Sequence, residues 1–136
     1  MLVMGLFAIV LAATLPFLGS FQQRQSTKTA GQELTEALRR AQHRSMTIQD
    51  NRSWGVNILS GSFVLYAGPS YVGRDGTADE VHAVASMTSI TGLSDVHFDT
   101  RGVPSATGIL SVTRSDAAVS EAVQVNAGGG IFLLKP

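Results

Sequence analysis

The first part of the chain is apolar on all sides, and its polar residues begin abruptly. Residues 1–23 contain no charged side chain, and Arg24 is the first one. A helix needs about 20 apolar residues to cross the hydrocarbon core of a bilayer. A secretory signal peptide is the alternative. Such a signal has a basic region before its apolar run, and no basic residue precedes the run here. We therefore predict a hydrophobic transmembrane helix over residues 1–23.

The helical pattern continues over residues 24–50, but there the apolar residues form a single stripe. They recur at helical spacing as Ala30, Leu34, Ala37, Leu38, Ala41 and Met46. A helix with one apolar stripe buries that stripe against a soluble domain. We expect Leu34, Leu38 and Ala41 to be the packing residues, against strand positions such as Val56 and Phe98.

After Asp50 the apolar pattern changes to the period of two that is typical of strands. Alternation at Trp54, Val56 and Ile58, a Ser60-Gly61 turn and an apolar run over residues 63–67 predict a β-hairpin. Further strands are predicted over residues 81–86, 95–99, 109–113, 122–125 and 131–134, and residues 69–79 are predicted to form a loop. The predicted fold class is α+β: a long N-terminal helix with a hydrophobic first half, packed on a small antiparallel β head at residues 51–136.

Composition and charge exclude several classes of function. The chain has ten basic and ten acidic residues among its 136, so its formal net charge is zero. A general nucleic-acid binder would show a basic excess. With no cysteine, the chain has neither disulfides nor a cysteine metal site.

The sequence contains no arrangement of residues that predicts catalysis or cofactor binding. No serine lies in a nucleophile motif, and the acidic residues Asp75, Asp79 and Glu80 lack the spacing of a calcium-binding loop. The histidines are also too far apart in sequence for a zinc motif: His43, His82 and His97. We predict a protein that is not an enzyme and that has no metal and no cofactor.

Four stretches resemble one protein family. The apolar run ends in "LAATLP", the helix continues as "LTEALRRAQHRSM", and the β part contains "SWGVNI" and "VHFDTRGVPSATGILSV". Together they resemble the type IV pilins and the type II secretion pseudopilins, in particular the GspH/FimT-like branch. The resemblance covers essentially the whole chain and is more specific in the helix than in the strands.

The resemblance implies a structural subunit of a bacterial type IV pilus or pilus-like filament, with roles such as cell adhesion. Such a subunit waits in the inner (cytoplasmic) membrane, is handled by the inner-membrane pilus assembly machinery, and polymerises with itself into an extracellular helical fimbrium. The expected assembly helix carries Met1, Leu2, Val3, Leu6, Phe7, Ile9, Val10, Leu11, Leu15, Phe17, Leu18 and Phe21.

The alternative within this family is a minor pilin or pseudopilin at a filament tip that binds DNA, a surface or a secretion substrate. DNA binding would use the basic helix residues Arg39, Arg40 and Arg44. We favour an ordinary polar helix face for these arginines, because the net charge is zero and the C-terminus has no basic cluster.

A proline inside the apolar segment is explained by the same resemblance. Thr14, Pro16 and Gly19 weaken a helix locally, and major pilins often unwind near this position in filaments. We predict that the segment kinks in the membrane or unwinds on assembly. If Pro16 is set on the family's neck proline, Met1 falls inside the mature pilin, so we expect the processing glycine and the motif glutamate upstream of it.

Overall fold

A long helix, α1, runs from Leu2–Met46 and leads into all the strands. The computed structural model describes residues 2–134, without the side chains of residues 2, 10–20, 23 and 117–119. After α1, a short 3₁₀ turn at Gln49–Asn51 redirects the chain. Ile48, Asp50 and Asn51 there have φ angles of 52°, 57° and 55°, a left-handed conformation that β-branched residues such as Ile48 rarely adopt.

Eight strands follow within the described residues and form two antiparallel sheets. The strands are β1 Trp54–Leu59, β2 Ser62–Ala67, β3 Asp75–Ala83, β4 Thr88–Thr91, β5 Asp95–Phe98, β6 Gly108–Arg114, β7 Ala117–Val125 and β8 Ile131–Leu134. The first sheet has the order β3-β2-β1-β5 and the second the order β4-β6-β7-β8.

The core lies between the second half of α1 and both sheets. The apolar stripe of the helix supplies Ala30, Leu34, Ala37, Leu38 and Ala41 to one buried cluster. The first sheet adds Trp54, Val56, Phe63, Leu65, Ala67, Val96 and Phe98, and the second adds Leu110, Val112, Val123, Val125 and Ile131. The α+β fold class predicted from the sequence is therefore confirmed.

Part of the strand prediction was wrong. The strand predicted over residues 81–86 ends at Ala83, and the one predicted over residues 122–125 begins at Ala117. The loop predicted over residues 69–79 ends early, because β3 begins at Asp75, and β4 at Thr88–Thr91 was not predicted at all. The sequence of β3 has few β-branched or aromatic residues, so it carries little local strand signal. Its pairing with β2, which aligns Val64 with Val81 and Ala67 with Asp75, supplies the order that the local sequence does not.

Candidate assembly surface

The first part of α1 presents apolar side chains to solvent. Val3, Met4, Leu6, Phe7 and Ile9 are between 64% and 80% exposed. Successive residues of an α-helix are rotated by about 100°, so these five positions point to several sides of the helix. Apolar surface gains about 25 cal/mol for each Å² removed from water, so this segment has a strong tendency to enter lipid or a protein core.

The assembly helix predicted from the sequence lies partly within the described residues. Val3, Leu6, Phe7, Ile9 and Phe21 are all exposed. Outside the described residues or side chains are Met1, Leu2, Val10, Leu11, Leu15, Phe17 and Leu18. Over the described residues, no helix is both long and apolar enough to cross a bilayer.

The predicted kink residues Thr14, Pro16 and Gly19 lie in the part of α1 for which the structure describes only the backbone, and that backbone is assigned to the helix. Unwinding was predicted for the assembled filament, and it stays a prediction.

The predicted packing residues of the helix lie in the core. Leu34, Leu38 and Ala41 are each 0% exposed, and they belong to the same buried cluster as Val56 and Phe98. Gly31 lies on the same side of α1. A Cβ atom added there would come within 3.1 Å of Glu121 Cβ and 3.4 Å of Leu133 Cδ1, so a small residue lets the helix approach β7 and β8.

Three arginines near the end of α1 contact the head. Arg40 Nη1 lies 3.1 Å from Glu80 Oε2, and Arg44 Nη1 lies 2.6 Å from Glu80 Oε1. The Arg44 guanidinium also lies 4.6 Å from the centre of the Trp54 ring, within the range of a cation–π contact. Arg39 Nη2 donates a hydrogen bond of 3.1 Å to the carbonyl of Ile131. These contacts give the arginines a role in joining α1 to both sheets.

Glu80 is the acidic partner in this arrangement. Its partial burial alone would raise the pKa of the carboxyl group, but the hydrogen bonds and charges of Arg44 and Arg40 outweigh burial and hold that pKa below its usual value. Glu80 is therefore a carboxylate at neutral pH. It neutralises part of the basic face that was considered for DNA binding.

The acidic residues of β3 and the aromatic residues have structural partners. Asp75 pairs with Arg52, and Arg74 Nε lies 2.8 Å from Asp79 Oδ2. In the part of the chain that the structure describes, no three His, Asp or Glu residues are grouped so that they could hold a metal ion. The aromatic side chains Trp54 and Tyr66 are buried as packing residues.

One contact of α1 was missed by the sequence analysis. Gln42 Nε2 donates hydrogen bonds to the carbonyls of Gly102, at 2.9 Å, and Gly129, at 2.7 Å. These glycines lie in two turns that precede strands of the second sheet, and their φ angles are +79° and +86°, which favour glycine. The glycines in "TRGVP" and "NAGGG" indicated turns, but nothing in the sequence indicated that one helix residue joins them.

Comparison with solved structures identifies the architecture. The chain is similar to the type IV minor pilin FimU of Pseudomonas aeruginosa, with a TM-score of 0.66 and 15% identity over 85% of this chain and 92% of that one. It is also similar to the minor pseudopilin EpsH from the type 2 secretion system of Vibrio cholerae, with a TM-score of 0.63 and 11% identity over 80% and 96%. The chain has the pilin fold. No family model and no curated protein sequence matches the chain.

Proposed function

We propose that this chain is a structural subunit of a type IV pilus or pilus-like filament. In this proposal, residues 1–23 hold the subunit in the membrane before assembly. The same residues then pack against neighbouring subunits in the filament, and the β head faces outward. The chain acts by polymerising, with no catalytic step.

The exposed apolar side chains at the start of α1 carry this proposal. The second half of α1 buries its apolar stripe in the head, whereas Phe7 and Ile9 in the first half are each 70% exposed. A soluble monomer rarely keeps such residues in water. The pilin fold supports the same proposal, because the solved proteins that share this fold are a minor pilin and a minor pseudopilin.

Within this function, a minor subunit is the second candidate. The two solved proteins described above are a minor pilin and a minor pseudopilin. A minor subunit would be present in few copies at a filament tip, where its head could contact a surface, a secretion substrate or DNA. The contacts of Arg39, Arg40 and Arg44 with the head make DNA the weakest of these options.

A charge placed in the apolar half of the helix tests the proposal. We expect Phe7→Asp to remove the protein from filaments sheared off the source bacterium, because an unpaired carboxylate is costly to bury in an apolar interface. Val72→Asp is the matched control, since Val72 is 95% exposed on the head and should leave assembly unchanged. Recovery of the Phe7→Asp protein in sheared filaments at the control level would contradict polymerisation through α1.

The same preparation separates the two candidates. A major subunit would be the most abundant protein of the sheared fraction, as judged by quantitative mass spectrometry. A minor subunit would be present at a small fraction of the dominant protein.

A further inference from the structure

Several turns form one end of the head. At this end the head first meets α1. Ser115, in the turn between β6 and β7, donates a backbone hydrogen bond of 3.0 Å to the carbonyl of Met87. Next to it in sequence, Arg114 Nη1 donates a hydrogen bond of 3.1 Å to Ser26 Oγ on α1. Met87 is therefore connected through this turn to a helix position five residues after Phe21, where the apolar segment ends.

The turn between β1 and β2 belongs to the same end of the head. The Val84 amide donates a hydrogen bond of 3.0 Å to the carbonyl of Gly61 in that turn. Ala83, Val84 and Ala85 also line one groove together with Gln22 of α1, which follows Phe21 directly. The turns are thus adjacent to the end of the apolar segment.

Exposed apolar side chains lie on these turns. Met87 is 56% exposed and Leu59, next to the β1–β2 turn, is 40% exposed; Phe21 on the helix is 64% exposed. Met87 also has a φ angle of 67°, which is uncommon for a residue other than glycine. Met87 therefore carries an exposed apolar side chain in the loop between β3 and β4.

The first charges of α1 after the apolar segment are positive. Arg24 and Lys28 are exposed on α1, and in the described part of the chain neither one takes part in an ion pair. At the same end, Arg114 and Asp116 pair with each other and contribute no net charge. Glu33 lines the groove as well, but it lies nine residues after Arg24, about 13 Å farther along the helix. Two cations close to the end of an apolar segment are the combination that binds the interface of an anionic bilayer.

We propose that this end of the head rests on the surface of an anionic phospholipid bilayer before assembly. We call it the proximal rim and define it by Phe21, Arg24, Lys28, Leu59 and Met87. Its apolar side chains enter the headgroup region, and its two cations contact lipid phosphates. The inference rests on the proposed function, because residues 1–23 must lie in the same bilayer.

Lipid is the occupant that the rim fits best. The rim continues directly from the charge-free segment that is proposed to be embedded in the bilayer, so a bilayer surrounding that segment ends at the level of the rim. The long side chains of Arg24 and Lys28 can lay their methylene groups along apolar surface while their charged ends reach phosphate oxygens. The rim would thereby fix the orientation of the head above the membrane until the subunit is extracted into a filament.

Fluorescence quenching by lipid tests this proposal on the full chain. We would place Met87→Trp in vesicles of anionic phospholipid whose acyl chains are brominated close to the headgroups. Val72→Trp is the matched control, because Val72 is 95% exposed in a loop near Arg52, at the end of α1 that is remote from the rim. The native Trp54 is 3% exposed and gives the same background in both proteins.

We expect brominated lipid to reduce the emission of Met87→Trp and to leave that of Val72→Trp unchanged. The reduction should weaken in zwitterionic vesicles and in an Arg24→Gln, Lys28→Gln double variant. Leu59→Trp provides a second reporter if Met87→Trp does not fold, as judged by circular dichroism.

Two results would overturn the proposed contact between the rim and lipid. One is equal emission of both rim reporters with and without bromine, in a protein that still floats with the vesicles. This result would contradict the rim and would leave the proposed membrane anchor intact. The other is a change in rim emission that depends on protein concentration and not on bromine, which would assign the rim to a second copy of the chain. Failure of the full chain to float with vesicles would instead contradict the proposed anchor, and the rim with it.

Discussion

Gln42 holds together two turns that are distant in sequence. Its amide group donates to the carbonyls of Gly102 and Gly129, and a Cβ atom added at Gly129 would lie 2.6 Å from both Gln42 Nε2 and the Gly102 oxygen. A side chain at position 129 would therefore displace the contact. The three residues form one small unit near the end of α1.

Both hydrogen bonds depend on the NH₂ group of the Gln42 side chain, which can be replaced. Gln42→Glu replaces the donating group with a carboxylate that faces two carbonyl oxygens, and we expect it to lower the free energy of unfolding by about 1–3 kcal/mol. Urea unfolding followed by circular dichroism measures this loss. Gln32→Glu, at an exposed position of the same helix, should change the free energy far less. Equal effects of the two substitutions would contradict the role of Gln42 in joining the two turns.

The residues of the core could be predicted from the sequence, whereas the Gln42 contact could not. Leu34 and Leu38 follow a helical period that requires one buried face, so local spacing was sufficient to select them. Gln42 is a polar residue beside that face, and its role depends on where two distant turns come to lie. No spacing rule connects residues 42, 102 and 129.

At the scale of elements, the docking of α1 on the sheets depends on its buried stripe. Leu38→Ala should lower the free energy of unfolding by about 2–5 kcal/mol, as is typical of a leucine deleted from a core. Leu38→Asp should prevent the head from folding, because it buries an unpaired charge. The control is Gln32→Asp on the exposed face. A melting temperature for Leu38→Asp equal to that of the control would contradict the docking.

The pairing of Glu80 on β3 with Arg40 and Arg44 on α1 should be sensitive to acid. Because the folded state lowers the pKa of Glu80, the contribution of its carboxylate is complete above the unfolded glutamate pKa of about 4.3. It is lost as the pH falls through the lower pKa of the folded state. The difference in unfolding free energy between the wild type and Glu80→Gln should therefore shrink on acidification.

Urea unfolding at a series of pH values tests this prediction. Glu36→Gln is the control, because Glu36 is exposed on α1 and makes no ion pair among the described residues. A difference between wild type and Glu80→Gln that stays constant from neutral to acidic pH would count against the ion pairs.

The strands show where local sequence is insufficient. The β1–β2 hairpin was predictable from its alternation and its Ser60-Gly61 turn, and the register Leu59↔Ser62 agrees with it. In contrast, β3 starts with Asp75 and Gly76, which favour turns. It is ordered by pairing with β2 and by the contact of Arg52 with Asp75. Such edge strands depend on their neighbours more than on their own residues.

At the scale of the whole molecule, the chain divides into a part that buries its apolar residues and a part that exposes them. The sequence indicated this division through the position of Arg24, the first charged residue. A charged side chain is costly to bury in an apolar environment. It could not indicate how eight strands divide into two sheets on one helix. That arrangement depends on pairings between distant segments, such as β1 with β5.

The distribution of a shortened chain among membrane, filament and soluble fractions tests the central claim most directly. The full chain should be found in membranes and in sheared filaments, since residues 1–23 are proposed to serve both states. A chain without residues 1–23 should be soluble, monomeric and folded, with residues 25–46 still docked on the sheets. A shortened chain that remained in membranes, or that still entered filaments as the full chain does, would contradict assembly through the apolar half of α1.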